Sequence, residues 1–275
     1  MTKLQFYLSL LRFSITNPSK GMNMLKSFSQ VRTDQQNKQQ IHKYDNIKYN
    51  ANEVIASFFP EFDHLDTESK QNTSALQNHL SEFSLNLKNK VFPSKEKPYP
   101  LVYQLDNESG LFLYILCKIL KPEIIVETGV AYGMSSAYIL QALKENNKGT
   151  LYSIDSIFRP WESEEMIGSA IPSELKNKWN FINGVATEKL YPLIKSLKQI
   201  DIFIHDSLHT YTNMMSEFNT AWPFVREDGF LISDDIGTNN AFYDFYTKNN
   251  LRYTVLSQNN QKKSYLGIIK KSNSR

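Results

Sequence analysis

The sequence predicts an α/β protein: a doubly wound, mostly parallel sheet of seven strands closed by an antiparallel hairpin, behind a mainly helical N-terminal extension. Three observations predict it. Between residues 108 and 249, short β-branched runs alternate with helical stretches, the pattern of βα units whose strands pair in parallel. The chain then ends in two apolar runs, RYTVLSQ and SYLGIIKK, joined by a polar turn at 259–263. The first hundred residues are different in kind, rich in Asn, Gln, Ser and Lys, with Gly21 as their one glycine.

The extension spans residues 1–100 and the sheet domain residues 101–275. LQFYLSLLRFSI is too short to span a bilayer and Arg12 interrupts it, so an amphipathic helix on the protein or on a membrane surface is the reading left to it. NPSKG at 17–21 signals a turn, and VRTDQQNKQQ from residue 31 reads as loop or exposed helix. Leu76, Leu80, Phe83 and Leu87 form a helical stripe, with Asn72 or Thr73 available as its cap. FPSKEKPYP at 92–100, with three prolines in nine residues, reads as a linker.

In the second part, ESGLFLYILCKIL (108–120) is a helix stopped by Lys121-Pro122, and IIVET (124–128) is a buried strand. A helix over 134–146 leads to a second strand, TLYSID (150–155). WNFIN (179–183) is the third strand, with a helix over 187–198, and IDIFIHD (200–206) the fourth, with a helix over 211–221. GFLISDD (229–235) is the fifth, followed by a helix over 239–249.

Composition bounds the function. Hydrophobic content of 41% and charged content of 21% are those of a soluble globular chain. Cys117, the single cysteine, excludes a disulfide framework and lies in an apolar helical run as a structural thiol. Residues 1–50 carry eight Lys/Arg against two Asp/Glu, but without an arginine cluster or nucleic-acid motif, so no nucleic-acid partner is expected. No transmembrane segment and no secretion signal are read, and a cytoplasmic protein is expected.

In sheets of this kind ligands bind beyond the carboxyl ends of the strands. After the first strand, Gly129 and Gly133 allow close backbone approach, and Glu127 would attract a ligand ammonium or sulfonium but repel a pyrophosphate. Ser135 and Ser136 can donate to a ligand carboxylate; a capped helix start with a solvated glutamate is the plainer reading of the same segment. Asp155 can accept from both ribose hydroxyls, and Gly184, Val185 and Ala186 can flank a base. An amino-acid head, a ribose and a base together have the outline of S-adenosyl-L-methionine.

With these residues in view, NESGLFLYILCKILKPEIIVETGVAYGMSSAYIL resembles the first helix, strand and glycine loop of class I methyltransferases that use S-adenosylmethionine. The resemblance covers about 105–270. It is strongest to the divalent-cation-dependent O-methyltransferases of the sugar, antibiotic-tailoring and catechol types. It implies a Rossmann-like sheet, Glu127 and Gly129 along the methionine part, Ser135 near its carboxylate and Asp155 on the ribose. It also implies a metal held by Asp206, Asp234 and Asp235, with Asp206 beside the cofactor as well, and His209 as the base that takes the substrate proton. The last metal position is commonly Asn in catechol-type members; Asp235 stands there.

Clustered carboxylates are costly unless a cation neutralises them, and all-oxygen ligation suits Mg²⁺ or another hard divalent ion. A screened acidic patch with Asp235 capping the next helix is the alternative. The expected reaction is methyl transfer to a hydroxyl of a small molecule or sugar, a vicinal diol being suited to chelation. Two other readings stand beside it: a nicotinamide-dependent oxidoreductase, against which the missing third glycine argues, and a cofactor-binding docking protein without turnover. A homo-oligomer is compatible with the sequence. Arg159 and Trp161, between the second and third strands, could form a substrate wall or a surface loop.

Overall fold

The computed structural model describes residues 3–36, 41–62, 66–101, 105–157, 159–258 and 264–272. Residues 37–40 of the VRTDQQNKQQ run and the polar turn at 259–263 lie outside the described residues. The strands form where β-branched residues run uninterrupted. β2 (Ile124–Thr128) pairs in parallel with β3 (Thr150–Asp155) on one side and β5 (Ile200–His205) on the other. β4 (Trp179–Asn183) extends the sheet beyond β3, and β6 (Val225–Ser233) beyond β5, both in parallel. β8 (Ser264–Lys270) runs antiparallel between β6 and β7 (Tyr253–Gln258).

The chain thus steps from β2 outward to β4, then returns to β5 on the opposite side of β2. That reversal opens a crevice at the carboxyl ends of β2 and β5, because the two following loops leave in opposite directions. The expected sheet of seven strands is corrected to eight. The added strand, β1 (Ile47–Lys48), comes from the N-terminal region and lies parallel to β7 at Val255 and Leu256. Two residues carry no period-2 pattern, so nothing in the sequence announces such a strand.

Alternation along the strands assigns residues to the two faces. Ile125, Ile202, Ile204, Phe230 and Ile232 point to the core shared with α3 (Ala51–Phe58), α4 (Asp66–Lys88), α5 (Asn107–Leu120) and α6 (Met134–Glu145). Val126, Phe203 and Leu231 point to the core shared with α7 (Ala186–Leu197), α8 (Tyr211–Ala221) and α9 (Ala241–Lys248). Each such side chain is at most 3% exposed, so burial contributes about 1.5–3 kcal/mol apiece. α5 is buried at every position from Ser109 to Cys117, being covered by helices as well as by the sheet. Asp106 caps it by accepting from the backbone N–H groups of Glu108 and Ser109.

α1 (Lys3–Thr16) and α2 (Pro18–Gln36) form a helical hairpin. The NPSKG turn is confined to Asn17, because Pro18 opens α2, a position where its missing N–H costs nothing. α4 begins at Asp66, not at the expected Asn72 or Thr73. Its first turns are polar and carry no apolar stripe, and the Thr73 hydroxyl donates to the Ser69 carbonyl instead of capping. α3 is built into the sheet domain: Ala51, Val54 and Ile55 are fully buried, and Glu108 of α5 accepts from the Ala51 N–H at 2.8 Å. Among the described residues no helix is long and apolar enough to cross a membrane.

Candidate active site

A cavity of about 950 Å³ occupies the crevice above β2 and β5. Gly129, Ser135, Asp155 and Ala186 line one part of it, and Asp206, His209, Asp234 and Asp235 line another. The carboxyl ends of five strands, β2 to β6, are therefore brought to one cavity by the sheet order. Glu127 is not on its wall.

The glycine loop is held from two sides. Gly129 has φ of +84°, a conformation L side chains rarely adopt, and donates to the Ile154 carbonyl at 2.8 Å. A Cβ there would sit 2.0 Å from the Asp206 carbonyl oxygen, so the loop packs directly on the tip of β5. From the other side, Asp155 Oδ2 accepts from the N–H groups of Val130 and Ala131 at 2.9 and 3.0 Å, and Oδ1 from Ser156 N. The carboxylate expected to meet a ribose thus also fastens the loop, keeping its remaining lone-pair direction for a ligand. Burial raises its pKa, and those backbone donors oppose the rise.

Glu127 corrects an expectation. Its side chain is fully buried and accepts from the hydroxyls of Ser135, Ser136 and Ser153 at 3.1, 2.7 and 2.8 Å. Burial pushes its pKa up to about 7, against the pull of the three serines. It points beneath the part of the cavity lined by Ser135, because β2 is central and its alternation turns residue 127 toward α6. Its reach to the cavity runs through Ser135, which does line the wall.

The acidic cluster sits where β5 and β6 end. Asp206 donates its N–H to the Thr128 carbonyl and Asp234 to the His205 carbonyl, so both residues leave the sheet in register. His209 lies between carboxylates: Nδ1 is 3.2 Å from Asp235 Oδ2, and Nε2 is 3.4 Å from Asp206 Oδ1. Burial alone would lower the His209 pKa, but Asp206 and Asp235 outweigh it and hold it well above 6.5. Burial and the Asp206 charge push Asp234 up to about 8. Asp206 is raised by burial, and Asp235 is lowered by its contact with His209.

Donor atoms of Asp206, His209 and Asp234 lie within 4.8 Å of one another, a spacing and a hard-donor set that fit one divalent ion. The third expected ligand, Asp235, is outside that group. Its φ of +49° turns the residue at the β6 exit, and its carboxylate is taken up by His209 and by the Ser264 hydroxyl at 3.0 Å. Asp234 is oriented from the hairpin, accepting from Gln258 Nε2 at 2.7 Å.

Several residues that shape this site were not identified from the sequence. Beneath it, Glu217 of α8 gathers His205 Nδ1 at 2.7 Å, Ser207 Oγ at 2.7 Å and Asn213 Nδ2 at 3.0 Å, along with the Thr128 hydroxyl. His205 is fully buried on the α8 side of the sheet, the face opposite that of Ile204, as alternation predicts. It touches the His209 ring edge-on at 5.6 Å between centroids. That Glu217 is the one charged residue of α8 was the one available signal for it. Gln258 and Ser264 lie on the terminal hairpin, and Lys26 and Gln30 of α2 line the cavity from the extension. Only the fold brings those here. Arg159 lines the cavity and holds the buried Glu162 at 3.0 Å, which places it in the wall, whereas Trp161 does not line it.

Residues 126–236 match the family described as a methyltransferase domain. Among solved structures, an O-methyltransferase from Bacillus cereus in complex with SAH superposes with a TM-score of 0.54 at 16% identity, over 81% of this chain and 98% of that one. The O-methyltransferase TomG from Streptomyces achromogenes, involved in tomaymycin synthesis and bound to SAM, gives 0.54 at 16% over 78% and 99%. The SAH-bound methyltransferase PaMTH1 of Podospora anserina gives 0.53 at 13% over 78% and 97%. No curated protein matches the sequence. Residues 126–236 are thus similar to a methyltransferase domain, and the chain shares the fold of these solved methyltransferases.

Proposed function

We propose that the protein transfers a methyl group from S-adenosylmethionine to a hydroxyl oxygen of a small molecule or sugar, with a divalent cation, Mg²⁺ for preference, held beside the donor. The observation that carries this reading is the shared cavity: the glycine loop, Asp155 and Ala186 line one part, and the Asp206–His209–Asp234 cluster another. A volume of about 950 Å³ leaves room for a second small molecule beside a nucleoside-sized donor.

The sulfonium already makes the methyl carbon electrophilic, so the chain's work is to align the acceptor and take its proton. Asp155 and Ala186 would take the ribose and base. Ser135, in the first turn of α6, would meet the methionine carboxylate through its backbone N–H, its hydroxyl being given to Glu127. Asp206 and Asp234 would hold the ion. When bound, it neutralises these carboxylates and lowers the pKa of a hydroxyl beside it. With the carboxylates so neutralised, less charge holds the proton on His209. Its Nδ1 faces Asp235, while its Nε2 lies 3.4 Å from Asp206 Oδ1 without a hydrogen bond of good geometry, so with Asp206 turned to the ion Nε2 would be the nitrogen to accept a proton from the acceptor. Alignment of oxygen, carbon and sulfur supplies the entropic part of the rate.

The test is transfer of labelled methyl from S-adenosylmethionine to catechols, sugars and other diols, with Mg²⁺ and with a chelator. Transfer is expected with Mg²⁺ and is lost on chelation and in D206N and D234N. His209→Gln lowers kcat by roughly 10²–10⁴-fold with S-adenosylhomocysteine affinity unchanged. Full activity under chelation removes the metal from the reading. Tight S-adenosylhomocysteine binding without turnover on any acceptor favours a non-catalytic docking protein.

A further inference from the structure

The α1–α2 hairpin has a second surface, unused by the site. On α1, Leu4, Tyr7, Leu8, Leu11 and Ile15 are 44–69% exposed. At 100° per residue they fall within about 100° of the helix circumference, a continuous apolar stripe about 17 Å long with Leu10 turned the other way into the protein. On α2, Met22, Leu25, Phe28 and Val31 are 36–59% exposed. Nine large apolar side chains open to solvent on one hairpin mark a surface that something covers.

Charge says what. Residues 1–33 contain Lys3, Arg12, Lys20, Lys26 and Arg32 and no acidic residue. Arg12, Lys26 and Arg32 are exposed. A second copy of the same hairpin would bring ten basic groups together against two acids, the Asp34 pair, each already engaged with the Tyr211 N–H of its own chain. An anionic bilayer offers both an apolar layer for the stripe and phosphates for the cations. We infer that the α1–α2 hairpin is a lipid-docking surface that lies on an anionic membrane without crossing it.

The hairpin is fastened to the catalytic domain beside the site. Gln30 accepts from the Thr210 hydroxyl at 2.6 Å, and Asp34 accepts from the Tyr211 N–H at 2.8 Å, at the start of α8. Thr210 follows His209 directly, and Lys26 and Gln30 line the cavity. Docking would therefore set the cavity beside the lipid headgroups, within reach of an acceptor hydroxyl carried by the membrane. That consequence rests on the methyl-transfer reading; the docking surface does not.

The test is flotation of the full chain with vesicles of phosphatidylcholine alone and of an equal mixture with phosphatidylglycerol. Binding is expected on the mixed vesicles only, weakening as salt is added. R12E and R32E each lower it, removal of one cation near the surface being worth roughly fivefold. L8E/L11E reduces it to the level of neutral vesicles, while K248E, the same charge change on α9, leaves it intact. S-adenosylhomocysteine affinity is measured on every variant and stays at the wild-type value, which separates docking from loss of fold. No enrichment on anionic vesicles overturns the inference. So does a soluble dimer that L8E/L11E dissociates, which would give the face to a second copy.

Discussion

Gly129→Ala is the substitution through which loop, strand tip and cofactor affinity can be read together. At φ of +84° an L residue carries a left-handed penalty of about 1–2 kcal/mol. The new Cβ would also sit 2.0 Å from the Asp206 carbonyl oxygen, which is backbone and cannot rotate away. Relieving such a contact costs a further 1–3 kcal/mol, roughly the range for overpacking. The sum, about 2–5 kcal/mol, lowers Tm by roughly 5–15 °C in a domain of this size. The displaced atoms belong to the cavity wall, so S-adenosylhomocysteine affinity by calorimetry should fall at least about tenfold, or 1.4 kcal/mol. Gly149→Ala supplies the control. It has φ of +90° and a Cβ 2.2 Å from the Pro122 carbonyl oxygen, but it stands at the other end of β3 and does not line the cavity. It should lose similar stability and keep its affinity. Equal affinity loss in both variants, or none in G129A despite a lowered Tm, would refute the packing of the loop on Asp206 as the reason for the glycine.

Two further substitutions probe the same wall. Glu127→Gln removes a titration: with its pKa raised from 4.5 to about 7, the buried acid favours the folded state below pH 4.5, and that stability is lost as pH rises toward 7. The wild-type stability minus that of E127Q, from urea unfolding, should decline by up to about 3 kcal/mol across that window and be flat above it; a pH-independent difference would contradict the buried, protonated state. Asp155→Asn puts an amide donor either against the N–H groups of Val130 and Ala131 or, in the flipped rotamer, against that of Ser156, so S-adenosylhomocysteine affinity should drop at least about tenfold by calorimetry. Affinity within twofold of wild type would deny Asp155 both its hold on the loop and the proposed role at the ribose.

Much of the sheet was legible because its signals are local. IIVET, TLYSID and WNFIN are strands over the spans expected, and the helices from α5 to α9 begin and end within two residues of their readings. Local signals failed where tertiary contacts decide. β1 exists because β7 offers an open edge, and the polar start of α4 is helical without an apolar stripe to show it. In the site, position along the chain identified the strand tips, so Gly129, Asp155, Ala186, Asp206, His209 and Asp234 meet at one cavity. It could not say which way a tip side chain turns. Glu127 went under the wall, and Asp235, in a left-handed conformation, went to His209 and Ser264. Gln258 reaches Asp234 across 24 residues and Gln30 reaches Thr210 across 180, separations for which a single sequence carries no signal.

The central claim is that donor and hard ion share one cavity across the β2–β5 crevice, and a crystal grown with S-adenosylhomocysteine and Mn²⁺ tests it most directly. The account predicts nucleoside density against Asp155 and Ala186, with an anomalous peak between the Asp206 and Asp234 carboxylates. Nucleoside density in place but only water between those carboxylates would contradict the metal, and no nucleoside at the Gly129 loop would contradict the account as a whole.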